Sequence, residues 1–263
     1  MKDEHFKIKS DNKVILSAVL TAPEDEATGA VILAHGITGE KHEGGSYVKL
    51  AKLLAEEKLI SLRFDFRGHG ESSGNFTDMT IEGEINDLTA AVKFLYEKGH
   101  EKISIIGTSF GAGIAVLYTD KHPSNVLSLT LLCPVLDYRR TFLEPETENG
   151  QKWFTPHTIS TAKETGTLKY GNFHLGHTVL EEFRKYQLRE KFLKLSIPSL
   201  IVHGTEDETV PHAVSSEYSK EHPQAKFLSV MGAGHSLEDF EKDVFPEIVK
   251  WILKYSTNSS KGV

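Results

Sequence analysis

Gly107-Thr108-Ser109-Phe110-Gly111 follows the apolar run Ile103-Ser104-Ile105-Ile106 and opens the helix-compatible run Ala112-Gly113-Ile114-Ala115-Val116-Leu117. A strand, then G-x-S-x-G, then a helix describes a sharp turn that lifts a serine hydroxyl clear of a sheet edge. Side chains two residues before and two after the serine would collide with the backbone of so tight a turn, hence glycine at both places. The pentapeptide alone is also compatible with a plain glycine-rich connection, so its meaning depends on what surrounds it.

What surrounds it is an alternation of strands and helices. Phe6 to Leu20 reads as two short strands broken at Ser10-Asp11-Asn12-Lys13, and Ala30 to Ala34, Leu59 to Phe66 and Ile103 to Ile106 read as strands. Val126 to Leu132, Ser199 to Val202 and Lys226 to Val230 continue the series. Helical spacing marks Val48 to Glu57 (through Val48, Leu50, Ala51, Leu53 and Leu54), Ile81 to Glu97, Val214 to Glu221 and Asp243 to Tyr255. Short apolar strands alternating with amphipathic helices predict an α/β fold, a mostly parallel central sheet with helices on both faces. No repeat or interdomain linker interrupts it, so residues 1–263 read as a single domain. The polar tail from Ser256 to Val263 is expected to fray.

One stretch breaks the rhythm. Residues 134–189 contain no clean strand but many aromatic residues and histidines, among them Tyr138, Phe142, Trp153, Phe154, Tyr170 and Phe173. A connection this long inside a compact domain reads as an inserted lid or subdomain, or as a structural insertion with a satellite core of its own.

A serine hydroxyl is a weak nucleophile at neutral pH; it needs a histidine to take its proton and a carboxylate to fix that histidine's tautomer. After the strand Leu200-Ile201-Val202 comes His203-Gly204-Thr205-Glu206-Asp207-Glu208-Thr209-Val210-Pro211, which offers Asp207 as the acid. Glu206 and Glu208 flank it and Asp137 follows the preceding strand, so these three stay open beside the favoured Asp207. After the strand ending at Val230 comes Met231-Gly232-Ala233-Gly234-His235-Ser236, which offers His235 as the base; the chain order Ser, acid, His agrees. Among the 13 histidines, His35, His69 and His203 sit in or beside turns and read as supports of those turns. A developing oxyanion needs two backbone N–H donors. Phe110, next after the serine, supplies one, and Ile37 in Ala34-His35-Gly36-Ile37-Thr38-Gly39 supplies the second.

Composition narrows the field further. Thirty basic against 37 acidic residues leave a net charge of −7, which argues against nucleic acid or an anionic membrane as partner. The charged N-terminus has no apolar segment behind it, and no stretch approaches the length of a membrane span. The lone Cys133 excludes an internal disulfide, and as a buried filler it fits a reducing cytoplasm. No phosphate-binding loop, H-E-x-x-H or paired-cysteine spacing occurs, so neither a cofactor nor a metal is expected.

With these parts assembled, the chain resembles the α/β-hydrolases, and within them the bacterial cinnamoyl/feruloyl esterase-like carboxylesterases. The most specific shared stretch is Phe64-Asp65-Phe66-Arg67-Gly68-His69-Gly70-Glu71-Ser72-Ser73-Gly74-Asn75-Phe76-Thr77-Asp78-Met79-Thr80. Together with His35-Gly36, the serine turn and the Asp207 and His235 loops, it covers nearly all of the core; the insertion matches least. That family's elbow usually has His and Gln beside the serine where this chain has Thr108 and Phe110. The resemblance implies hydrolysis of a small-molecule carboxylic ester through an acyl-enzyme on Ser109, with an insertion that helps to bind substrate. Phe110, Tyr138, Trp153 and Phe173 are then expected to wall the pocket for a short-chain acyl or hydroxycinnamoyl ester, a bulky Phe110 favouring short acyl chains over aryl ones. A serine peptidase of the acylaminoacyl or dipeptidyl type or a thioesterase would use the same machinery, and a non-enzymatic ligand receptor would keep the scaffold alone. The oligomeric state, a homodimer included, is not written in the sequence.

Overall fold

Four apolar segments, Gly29–Ala34 (β3), Ile103–Thr108 (β5), Val126–Leu132 (β6) and Ser199–Gly204 (β9), are buried almost throughout. Strands covered on both faces need no polar alternation, and these form the parallel centre of the sheet. The computed structural model describes residues 1–256; the rest of the tail that was expected to fray, 257–263, lies outside the described residues. With Lys2–Lys9 (β1), Ile15–Ala22 (β2), Leu59–Phe64 (β4) and Ala225–Val230 (β10), the eight-stranded order is β1-β2-β4-β3-β5-β6-β9-β10. β1 and β2 pair antiparallel, as do β2 and β4, and all other pairs are parallel.

Helices cover both faces. Ser46–Glu56 (α1) and Glu241–Ser256 (α9) bury Tyr47, Leu50, Leu54, Phe245, Ile248 and Ile252 against one face. Ile81–Glu97 (α2), Phe110–Lys121 (α3) and His212–Glu221 (α8) bury Ile85, Leu88, Ile114, Val214 and Tyr218 on the other. Val48, counted with the apolar stripe of α1, turns to solvent. Thr80 caps α2, its hydroxyl accepting the Gly83 N–H at 3.0 Å, a cap that contributes about 1 kcal/mol.

Between β6 and β9 the chain forms a π-helical turn at Arg139–Leu143, the helices Glu148–Trp153 (α4), Pro156–Thr165 (α5), His177–Lys185 (α6) and Leu188–Lys194 (α7), and two strands. Those strands, Thr167–Tyr170 (β7) and Phe173–Gly176 (β8), correct the expectation that this stretch has none. They pair antiparallel around Gly171-Asn172, with Gly171 at φ 59°, and bury Leu168 and Leu175 inward. The pairing is too short and too polar outside those two leucines to announce itself as a strand run.

Candidate active site

The serine turn takes the strained form that its glycines permit. Ser109 sits at φ 53°, ψ −115°, a region costly for a non-glycine residue. Three backbone hydrogen bonds fix it there: Ser109 N–H donates to Leu132 O (2.8 Å), and Val135 N–H (3.0 Å) and Ala112 N–H (3.2 Å) donate to Ser109 O. A Cβ on Gly107 would lie 2.6 Å from Ala112 Cα, and one on Gly111 would lie 2.3 Å from His35 O. Neither position admits any other residue without moving the turn.

Three loops at the carboxyl ends of β5, β9 and β10 bring three side chains together. Ser109 Oγ lies 3.1 Å from His235 Nε2, and His235 Nδ1 lies 2.7 Å from Asp207 Oδ2. A carboxylate only accepts, so Nδ1 carries the proton and Nε2 is free to accept the serine hydroxyl. Asp207 is fully buried and receives four donors: Thr209 N–H and Val210 N–H on Oδ1, both at 2.8 Å, and His235 and His203 on Oδ2. Burial works to raise the Asp207 carboxyl, but the hydrogen bonds from His203 and His235 outweigh it and hold it well below the usual carboxylate range.

The competing acids are elsewhere. Asp137 accepts the Arg139 and Arg140 N–H groups and the Tyr218 hydroxyl, while Glu206 and Glu208 are exposed. His203 has a closer role than the turn support read from the sequence. Its Nε2–H donates to Asp207 at 3.0 Å and its Nδ1 accepts from Ser215 Oγ at 2.7 Å, so the second imidazole on this carboxylate is itself held by a buried hydroxyl. The only sequence trace of this is a histidine four residues ahead of the acid.

The two expected oxyanion donors face no competitor. Among the described residues the N–H groups of Ile37 and Phe110 donate to nothing, although both residues are buried. Buried N–H groups without partners are rare. Phe110 also opens helix α3, whose positive end reinforces an anion site. The Ile37 loop is braced by the remaining histidines. His35 Nε2 accepts the Phe66 N–H at 3.0 Å, and burial pushes this ring down to about 3, so it stays neutral. His69 lies between Arg67 O (2.9 Å from Nδ1) and Ile37 O (2.8 Å from Nε2). From there a run of rings leads outward: His35 to His69 at 4.9 Å, His69 to Phe76 at 5.0 Å, Phe76 to Phe173 of β8 at 5.0 Å.

The expected pocket walls fare unevenly. Phe110 exposes no surface; its ring packs with Tyr138, Phe142 and Phe183 at centroid distances of 5.7 to 6.3 Å. Tyr138 is equally buried, with its hydroxyl unpartnered among the described residues. Both side chains join the insertion to the core instead of lining an open pocket, because α3 turns residue 110 inward while its N–H stays at the serine. Trp153 is half-buried, edge-on to Tyr170, and Phe173 is exposed, packed on Phe76.

A group that sequence reasoning missed is Glu43. Its Oε2 accepts the Gly36 N–H at 3.1 Å, next to the Ile37 loop, and it sits at φ 46° followed by Gly44 at 62° and Gly45 at 98°. Burial pushes its carboxyl up to about 7, with the Gly36 N–H and His235 pulling the other way. Glu43 and His235 border one cavity of about 200 Å³, lined also by Ser46, Tyr47, Thr108 and Ser236. As a metal site, Cys133, Asp207 and His235 bring donor atoms within 4.8 Å of one another, but burial keeps the thiol protonated and Asp207 Oδ2 is taken by two imidazoles, a poor donor set.

Comparison with known proteins agrees with this architecture. A family model described as alpha/beta hydrolase fold matches residues 29–160. Est1E from Butyrivibrio proteoclasticus, in a structure with bound ferulic acid, superposes with a TM-score of 0.82 at 25% identity, over 95% of this chain and 98% of that one. A Mycoplasma genitalium protein provisionally named esterase/lipase 2 is 23% identical over 97% of this chain and 98% of its own length. The monoacylglycerol lipase ABHD6 of Rattus norvegicus is 24% identical, over 79% of this chain and 70% of its own. No helix among the described residues is long and apolar enough to cross a membrane.

Proposed function

The chain belongs to the α/β-hydrolase fold family, and from that premise we propose that it is a serine carboxylesterase working through an acyl-enzyme. The observation that carries this reading is the continuous hydrogen-bonded path from Ser109 Oγ through His235 to Asp207, set beside two unspent backbone donors. Ser109 Oγ attacks the ester carbonyl as His235 Nε2 takes its proton, and the carbonyl oxygen, now negative, is received by the N–H groups of Ile37 and Phe110. Asp207 keeps Nδ1 as the donor and stabilises the imidazolium. His235 then gives its proton to the departing alcohol oxygen, and water repeats the sequence on the acyl-enzyme to release the acid.

Residues 134–189 act in this reading as a lid on the single domain, with Phe173 and Trp153 meeting substrate. Phe110, its ring buried, does not bound the acyl pocket and sets no limit on chain length. The acyl group is proposed as short-chain or hydroxycinnamoyl on two supports: the exposed ring of Phe173 packed on Phe76, and the likeness to Est1E, which binds ferulic acid. The single buried cysteine suits a cytoplasmic enzyme.

Removing the nucleophile tests the proposal. Ser109→Ala, which loses only Oγ, should cut ester turnover by about 10⁴-fold or more and abolish fluorophosphonate labelling, with folding retained. Labelling that persists in the variant would sink the assignment. Across acetyl to decanoyl p-nitrophenyl esters and methyl ferulate, a decanoyl optimum would overturn the acyl assignment alone.

A further inference from the structure

Resting on the ester-hydrolase reading, we infer that the cavity shared by Glu43 and His235 receives the alcohol portion of the substrate, and that Glu43 selects an alcohol bearing a further free hydroxyl, as in a partial ester of a polyol.

The proton balance places the alcohol there. When the tetrahedral intermediate collapses, the carbonyl carbon to alcohol oxygen bond breaks and that oxygen takes the proton His235 holds on Nε2. The leaving oxygen must therefore lie within hydrogen-bond reach of Nε2, and the carbons attached to it need space bordering the same imidazole. The cavity of about 200 Å³ lined by His235, Thr108, Tyr47, Ser46, Ser236 and Glu43 is such a space. Gly36 lies close to both the acidic wall and the proposed nucleophile: a Cβ on Gly36 would lie 3.3 Å from Ser109 Cβ and 3.8 Å from Glu43 Oε1.

On that wall the hydroxyls of Tyr47, Thr108 and Ser46 are spent, and Glu43 keeps a free carboxyl oxygen. Tyr47 OH lies 2.9 Å from Ala34 O and 2.7 Å from Thr108 Oγ1, and Ser46 Oγ donates to Glu241. Glu43 Oε2 takes the Gly36 N–H, while Oε1 accepts no hydrogen bond among the described residues. An apolar alcohol would leave this carboxyl oxygen unsatisfied, whereas a neighbouring hydroxyl satisfies it, as donor to the carboxylate or acceptor from the acid. An anionic alcohol portion would meet Glu43 and Glu238, both on this wall, and be repelled. Glu43 itself lies at φ 46°, a region costly for a non-glycine residue, and Gly44 and Gly45 continue the turn at positive φ that glycine adopts freely.

The test compares glycerol 1-monobutyrate with propyl butyrate, which share an acyl group and a three-carbon alcohol and differ by two hydroxyls. The wild-type protein should favour the glycerol ester at least about tenfold in kcat/KM, the expected scale of one hydrogen bond to a charged group. In Glu43→Ala that ratio should fall to about twofold or less, and Glu43→Gln, which keeps a hydrogen-bonding side chain, should lie between. A wild-type ratio near one, or a ratio that survives in Glu43→Ala while both rates fall together, would assign Glu43 to bracing the Gly36 loop and overturn the inference. A wild-type protein that hydrolyses neither ester would break the hydrolase reading itself, and the subsite with it.

Discussion

Two carboxyls border His235, and the two loops that carry them treat a negative charge in opposite ways. The loop after β9 surrounds Asp207 with four donors, and its carboxyl stays ionised despite complete burial. The loop before α1 gives Glu43 one backbone donor, and burial prevails there, lifting it to about 7. One acid is held as an anion; the other is left poised between two states. Paired acids pushed apart by their surroundings mark a division of labour, in the proposed reading between orienting a base and meeting a substrate.

The sharpest way to break the comparison is to remove the charge that the donors protect. Asp207→Asn should lower kcat by roughly 10³–10⁴-fold, because an amide cannot hold the His235 tautomer, whereas Asp137→Asn should cost far less in the same steady-state assay. If Asp137→Asn is the more damaging, the acid lies after β6 and the division of labour is misassigned. A smaller effect is expected one step out. His203→Ala removes one of four donors and should lower kcat by about 10- to 100-fold with KM little changed, the scale of one hydrogen bond to a charged group. His203→Gln, whose amide can donate to Asp207, should restore part of it; a merely structural role would show as lost stability without that rescue.

The smallest effect is on stability, and its sign differs between the two acids. A carboxyl raised by folding contributes stability that is present below its unfolded value and lost as pH rises through about 7. Glu43→Gln should therefore raise Tm at pH 8.5 and change it little near pH 4, by thermal melts. A depressed carboxyl behaves in reverse, so what Asp207 contributes is present at neutral pH and fades as pH falls below about 4. Equal Tm shifts for Glu43→Gln at both pH values would show that its ionisation costs the fold nothing.

Much of this site was legible because it is dictated locally. A turn that only glycine can make announces Ser109, and buried strands need unbroken apolar runs, which located β3, β5, β6 and β9 within a few residues. Asp207 and His235 follow from chain order along those strands. What was illegible depends on where side chains point after packing. Phe110 stood beside Ser109 in sequence, yet the helix it begins aims the ring at Tyr138 and Phe183. Glu43 and His203 act through partners 7 residues before and 4 residues after them, contacts made by loop geometry that no periodicity encodes. The hairpin of β7 and β8 did leave a signal in Gly171-Asn172, a dipeptide suited to a tight turn, hidden among polar residues.

The run of rings from Phe173 through Phe76 to His69 has a consequence for anyone wishing to recombine such enzymes. A Cβ on Gly176 of β8 would lie 2.0 Å from Thr77 O, so the insertion meets the segment after β4 without room for a substituted seam. A chimera that imports a foreign insertion at residues 134 and 189 would inherit a mismatch at Phe76, and His69 would transmit it to the Ile37 carbonyl. The exchangeable cassette is therefore discontinuous: residues 69–80 have to travel with the insertion for the graft to keep its Ile37 loop in register.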